Sequence, residues 1–179
     1  SQHQSLNIQM NPYNLDQKSV LVTGVTGGIG QSIVEQIAAL GGRVIGVGRN
    51  SERLSKLKES CPSSTFHLCD LTNQGSLESL IPAIESLHGV VHAAGIVHPL
   101  PIKFLSREKL DQTLNLNLHA PVELSRLLQK AKVLQRGCSH VFISSISGDH
   151  PHKGGGAYAI SKAGLQAFSK TLALETAHL

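Results

Sequence analysis

Five short apolar runs, rich in β-branched residues and separated by stretches of helical period, constrain this chain more than any other feature. They are Ser19-Val20-Leu21-Val22-Thr23, Arg43-Val44-Ile45-Gly46-Val47, Thr65-Phe66-His67-Leu68, Gly89-Val90-Val91-His92 and His140-Val141-Phe142-Ile143-Ser144. The runs are continuous rather than alternating, as expected of strands covered on both faces, so they predict an α/β fold built on a doubly wound parallel sheet. Between the first two runs, Ile29, Ile33, Ile37 and Leu40 recur at helical spacing, and Gly41-Gly42 predicts the stop. Pro121 opens a second helix, with Val122, Leu124, Leu127, Leu128, Ala131 and Leu134 on its packing face and Gly137 after its end. A third is predicted over 157–177, placing Leu165, Phe168, Leu172 and Ala173 on one stripe. With 179 residues, 40% of them hydrophobic, the chain suffices for one domain with a real core.

Charge and cysteine usage narrow the function classes. The net charge is +4, with cations spread along the chain, so nucleic acid is not an expected partner. The loose group Arg49, Arg53, Lys56 and Lys58 reads as a solvated helix face. No apolar run approaches the roughly 18 residues of a membrane helix, and no membrane association is expected. Cys61, Cys69 and Cys138 are odd in number and far apart, which fits a reducing cytoplasm better than a disulfide framework. No metal is expected either: Asp149-His150-Pro151-His152 is the densest acid and imidazole cluster, and it reads as a polar loop after a strand. Residues 1–11 are expected to be a disordered leader or a cloning remnant.

The first run flows into Thr23-Gly24-Val25-Thr26-Gly27-Gly28-Ile29-Gly30 and then into a helix. Strand, glycine-rich turn and helix together make a phosphate site, because backbone N–H groups and the positive helix end face an anion while glycine permits close approach. Gln31 follows the last glycine, so the Lys-Ser or Lys-Thr of a P-loop is missing. A dinucleotide in a Rossmann-like fold is the better match. In such folds a carboxylate some 20 residues on binds the ribose 2′-hydroxyl, and an Arg there accommodates a 2′-phosphate. Here the second run ends Gly48-Arg49-Asn50 with no carboxylate before Glu52, which favours NADP over NAD. Asp70, at the end of the third run, is placed either to accept from an adenine amino group or to cap the next helix.

Tyr158 and Lys162, four residues apart at the start of the last helix, share a face about 6 Å apart along the axis. An ammonium beside a phenol favours the phenolate, which moves the group toward acid and base work near neutral pH. Ser145 stands just beyond the fifth run, where its hydroxyl can bond a substrate oxygen; Ser144 and Ser147 are near competitors. Asn117 is a fourth candidate, able to interrupt a helix and hold water or simply to cap, with Asn115 as a rival.

With these residues in place, the sequence resembles the short-chain dehydrogenase/reductase family. The Thr-Gly-x-x-x-Gly-x-Gly turn matches at Thr23, Gly24, Gly28 and Gly30, and Asn-Asn-Ala-Gly is matched in part by His92-Ala93-Ala94-Gly95. The catalytic Asn, Ser, Tyr and Lys fall on Asn117, Ser145, Tyr158 and Lys162. The resemblance implies an NADP-dependent oxidoreductase acting on a small carbonyl or secondary alcohol. Tyr158 would be the general acid/base and Lys162 would lower its pKa and hold the nicotinamide ribose. Ser145 would polarise the carbonyl, and Asn117 would support a water relay. The implied cofactor set is Gly24, Thr26, Gly28, Ile29, Gly30, Arg49, Asp70, Leu71, Ala94, Gly95, Tyr158 and Lys162. It also implies a homodimer or homotetramer paired through the Pro121 and tyrosine helices. Further strands and a substrate-covering segment are implied past Leu179, so that 12–179 reads as a dinucleotide-binding domain truncated at its C-terminus, with an edge strand needing cover. Two other readings are the extended branch, which epimerises or dehydrates nucleotide sugars and whose glycine pattern Gly24, Gly27 and Gly30 also fit, and a non-catalytic cofactor-binding regulator.

Overall fold

A computed structural model describes residues 12–178; the leader expected at 1–11 and the last residue, Leu179, lie outside the described residues. Five strands, β1 (Ser19–Thr23), β2 (Arg43–Gly48), β3 (Thr65–Leu68), β4 (Leu87–His92) and β5 (Leu134–Phe142), form one parallel sheet of order β3-β2-β1-β4-β5. The doubly wound expectation is met. Six α-helices connect or follow them: α1 (Gly28–Ala39), α2 (Ser51–Ser60), α3 (Gln74–Leu80), α4 (Arg107–Leu114), α5 (Ala120–Ala131) and α6 (Gly156–Thr176). Leu21, Val90, Leu124 and Leu128 belong to a core on one side of the sheet, whereas Val22, Val34, Val44 and Leu57 pack on the other. Because β1 lies between β2 and β4, the chain reverses its winding there, and the crevice at the carboxyl ends of β1 and β4 is where such folds bind ligands.

The structure corrects three local expectations. The buried face of α1 is Gly30, Val34 and Ile37, not a stripe from Ile29, which is 59% exposed. Gly30 sets this rotation: a Cβ there would overlap the Gly24 carbonyl oxygen, so the bare backbone must face the turn and Ile29 is carried outward. Helix α5 ends at Ala131, with Lys132 left-handed at φ 56°, rather than running through Leu134 to Gly137. Leu134 instead starts β5 opposite Leu87, and it packs on the core that α5 also covers, so the helical spacing continued past the helix by coincidence. The fifth strand accordingly spans Leu134–Phe142 instead of 140–144, with an irregularity in which β5 takes five steps, Leu134 to Ser139, against two in β4; Gly137, at φ 78°, lies inside it.

Candidate active site

The glycine turn packs against β4's end. Gly24 has φ 71°, and a Cβ on it would stand 2.7 Å from the Ala94 Cα, so two backbones meet there with no room for a side chain. Helix α1 has no side-chain cap and no acidic residue in its first turn, and a Cβ on Gly28 would meet nothing within 4 Å. The Val25 and Gly27 amides bond the Val47 and Gly24 carbonyls, while the first turn of α1 has no side chain capping it, which leaves the helix start for an anion. Gly30→Ala is expected to cost about 1–3 kcal/mol, because only backbone atoms are there to yield. Gly28→Ala should leave the melting temperature unchanged; thermal melts of the two variants check both.

A cleft of about 210 Å³ follows from this arrangement, lined by Gly24, Thr26, Arg49, Leu71, Ala94 and Gly95 of the expected set. Gly27 of the glycine turn also lines it, as do Val47, Gly48, Cys69, Ala93 and Leu116, none of which the sequence put in the cofactor set. Gly28, Ile29, Gly30, Asp70, Tyr158 and Lys162 do not line it. Asp70 neither caps the next helix, whose cap is Asn73, nor points freely: its Oδ1 accepts from the Thr72 amide at 3.0 Å and hydroxyl at 2.8 Å. Those two bonds, chiefly, hold its pKa below the usual carboxylate value, with the Arg49 charge assisting. Arg53 is not simply part of a solvated face, for its Nη1 donates to the Thr26 carbonyl at 2.7 Å.

Asparagines are absent from the turn after β4, and other groups brace it. The Thr23 hydroxyl accepts from the Ala93 and Ala94 amides at 3.1 and 3.2 Å. Farther along, the Asn117 carboxamide clasps Ile96 from both sides, accepting from its amide and donating to its carbonyl, each at 2.8 Å. Asn117 lies in a π-helical turn, Asn115–His119, that separates α4 from α5, so it interrupts a helix as expected. Its Nδ2 also donates to Ser161 Oγ at 3.1 Å, leaving both amide hydrogens engaged with protein rather than water. Ser161, which the sequence reading passed over, donates in turn to the Tyr158 carbonyl at 2.7 Å. The first turns of α6 are thereby tied to the loop that floors the cleft.

Lys162 is 4% exposed, and its Nζ donates to the Ile143 carbonyl at 2.6 Å. The same atom lies 5.6 Å from the Tyr158 ring centre, and a Cβ on Gly95 would stand 3.7 Å from it. Burial pushes the Lys162 pKa below its ordinary value. Two residues beyond Ile143, Ser145 Oγ accepts from the Ser147 amide at 3.1 Å, which leaves its own hydrogen to donate. The turn that follows packs on α6, where a Cβ on Gly148 would come within 3.2 Å of the Ala163 amide. Ser144 is different: its buried hydroxyl has no hydrogen-bond partner. One lysine thus links the end of β5, the loop after β4 and the tyrosine helix.

Beneath this lies His92, which no sequence argument assigned a role. It is 4% exposed, stacks on Phe142 at 4.5 Å and 1°, and meets His140 at 5.7 Å. Its Nε2 is 3.5 Å from both His140 Nδ1 and Ser125 Oγ. Burial, and then the neighbouring His140, pushes its pKa down to about 3. Cys61, Cys69 and Cys138 are free thiols, and burial pushes that of Cys138 up to about 11. Among the described residues no group of three His, Cys, Asp or Glu side chains is placed to hold a metal, and no helix is long and apolar enough to cross a membrane.

A parallel sheet with an uncapped glycine turn and a cleft at its switch point defines a dinucleotide-binding protein. Residues 18–179 match the short chain dehydrogenase family. Similar proteins include the 3-oxoacyl-(acyl-carrier-protein) reductase of Rickettsia bellii, 35% identical over 92% of this chain and 68% of that protein. The reductase of the same name from Escherichia coli is 31% identical, over 92% and 69%. A 2,3-dihydro-2,3-dihydroxybenzoate dehydrogenase of Bacillus subtilis is 29% identical, over 94% and 67%. Among solved structures, a short chain dehydrogenase/reductase family protein superposes with TM-score 0.86 at 25% identity, covering 92% of this chain and 71% of its own. A short-chain dehydrogenase from Streptomyces avermitilis gives 0.83 at 29%, covering 89% and 61%. The chain belongs to the short-chain dehydrogenase/reductase family and is an NAD(P)-dependent oxidoreductase.

Proposed function

We propose that this protein interconverts a carbonyl and a secondary alcohol with NADP, with Tyr158 as general acid/base and residues 12–179 as its dinucleotide-binding domain. The observation that carries the reading is the buried Lys162, held by the Ile143 carbonyl within 5.6 Å of the Tyr158 ring and beside Gly95. Supporting the cofactor is the open space over Gly28 at the start of α1, with Arg49 lining the cleft and no carboxylate following it before Glu52. When bound, the nicotinamide supplies or accepts the hydride. The phenol of Tyr158 delivers a proton to the carbonyl oxygen in reduction and removes it in oxidation. A cation at Lys162 favours the phenolate that remains. The Ser145 hydroxyl donates to the same substrate oxygen, and Asn117 sets the loop and helix at a fixed separation beside the water relay it supports.

The relatives named as 3-oxoacyl reductases support a carbonyl substrate. Pairing of two copies through α5 and α6 is consistent with Ile160 and Leu174, exposed on α6. The test is to mix the full-length protein with NADPH or NADH and a panel of ketones, and to follow nicotinamide absorbance. Consumption of NADPH, faster than of NADH, is expected; tight binding without turnover of any carbonyl would overturn the reading in favour of a non-catalytic role.

A further inference from the structure

We propose that Ser161 is a positioning residue: its hydroxyl fixes the turn of α6 that carries Tyr158 and Lys162 against the loop after β4, and so sets where the Lys162 ammonium stands relative to the phenol. The inference rests on the reading of Tyr158 as general acid/base and adds to it a residue outside the expected site. Ser161 is 0% exposed, and its Oγ has two partners. It donates to the Tyr158 carbonyl at 2.7 Å and accepts from Asn117 Nδ2 at 3.1 Å. The same carbonyl receives the Lys162 amide, as i to i−4 bonding within α6 requires, so one hydroxyl governs the turn on which both side chains stand.

These bonds close a circuit. Asn117 holds Ile96 at both its amide and its carbonyl. Lys162 Nζ donates to the Ile143 carbonyl, the Ile143 amide donates to the His92 carbonyl at 3.2 Å, and the backbone through Ala93, Ala94 and Gly95 returns to Ile96. Gly95 lies inside the circuit, where a Cβ would stand 3.4 Å from Asn117 Oδ1 and 3.7 Å from Lys162 Nζ. Among the described residues Ser161 is the hydrogen-bond partner of Asn117 on α6. Asn117 is 1% exposed, and a Cβ on Gly164 would come within 2.9 Å of Leu118 Cδ2, so α6 packs tightly here and water has no entry. Removing the hydroxyl strands an Asn117 N–H in a dry site, a loss the carboxamide relieves only by shifting the loop or the turn.

The test compares Ser161→Ala, Ser161→Thr and Ser125→Ala in the full-length protein, using the ketone of the panel above that is reduced fastest and the alcohol formed from it. Ser161→Ala is expected to lower kcat about 3- to 10-fold, the worth of one hydrogen bond, while the NADPH dissociation constant stays near wild type. The acid limb of its alcohol oxidation should move to higher pH, since an ammonium less firmly placed favours the phenolate less. Threonine keeps the hydroxyl and can bond a carbonyl one turn back, so Ser161→Thr should restore the wild-type limb. Ser125, closed off at 1% exposure, lies against His92 and not the tyrosine turn; Ser125→Ala should lower the melting temperature and leave the limb in place. In a Tyr158→Phe background Ser161→Ala should add no further loss of kcat, because its effect passes through the phenol. An unmoved limb in Ser161→Ala, an equal shift in Ser125→Ala, or additive losses in the double variant make Ser161 a structural residue and overturn the proposal alone. Near-wild-type turnover by Tyr158→Phe, or no turnover of any ketone by the wild type, sinks the catalytic reading and the proposal with it.

Discussion

Tyr158→Phe is expected to lower kcat by about 10²- to 10⁴-fold while leaving cofactor affinity and the melting temperature near their wild-type values. The substitution removes one oxygen and little else. Ser161 bonds the backbone carbonyl of residue 158, not its phenol, so the brace to Asn117 survives. Lys162 remains anchored on Ile143, and its packing under the ring is unchanged. Loss of turnover with retained binding therefore isolates proton transfer, whereas Lys162→Met would disturb both β5 and the loop after β4. Steady-state kinetics beside fluorescence titration of NADPH make the comparison. A kcat within a few-fold of wild type would remove Tyr158 from the chemistry.

What was legible in the sequence and what was not divides on physical lines. The central strands β1, β2 and β4 were readable because they are largely buried, which enforces continuous apolar runs; β1, buried along all five positions, is the clearest case, whereas the edge strands β3 and β5 are partly exposed, Leu68 and Val141 among them. The glycine turn was readable because backbone contact between Gly24 and Ala94 excludes every larger residue. Helices α2, α3 and α4 were less visible, being short and largely polar, although Asn50, Asn73 and Ser106 cap them with side-chain bonds and supplied a usable signal. The end of α5 was misjudged since Leu134 satisfies either period. Long-range polar braces left no local trace: nothing in the spacing says that Thr23 holds Ala93, that Asn117 clasps Ile96, or that Arg53 reaches Thr26. Such contacts depend on where the sheet topology brings distant segments, which periodicity does not encode.

His92 sits where those two kinds of information meet: the apolar run placed it at the end of a strand and the motif comparison as a departure from Asn-Asn-Ala-Gly, and its ring proves to be buried at the end of β4. Its burial implies a second large effect, an acid-sensitive fold. In the unfolded chain the imidazole takes up a proton near its ordinary 6.5, but in the folded protein not until about 3. Its contribution to stability is therefore fully present above the first value and is lost as pH falls from 6.5 toward 3. At about 1.4 kcal/mol per pH unit, the whole window amounts to on the order of 4–5 kcal/mol. His140, whose pKa burial also lowers, acts in the same direction. Urea unfolding at pH 7 and pH 5 is expected to show wild type losing about 2 kcal/mol from His92 alone. His92→Phe preserves a flat ring against Phe142 and surrenders only two polar contacts of 3.5 Å. That variant should lose correspondingly less on acidification, with the residual slope set by His140. An identical drop in both proteins would mean that the ring titrates freely and that the end of β4 opens to water, which would also loosen the Ala93-Ala94-Gly95 floor on which the cleft depends.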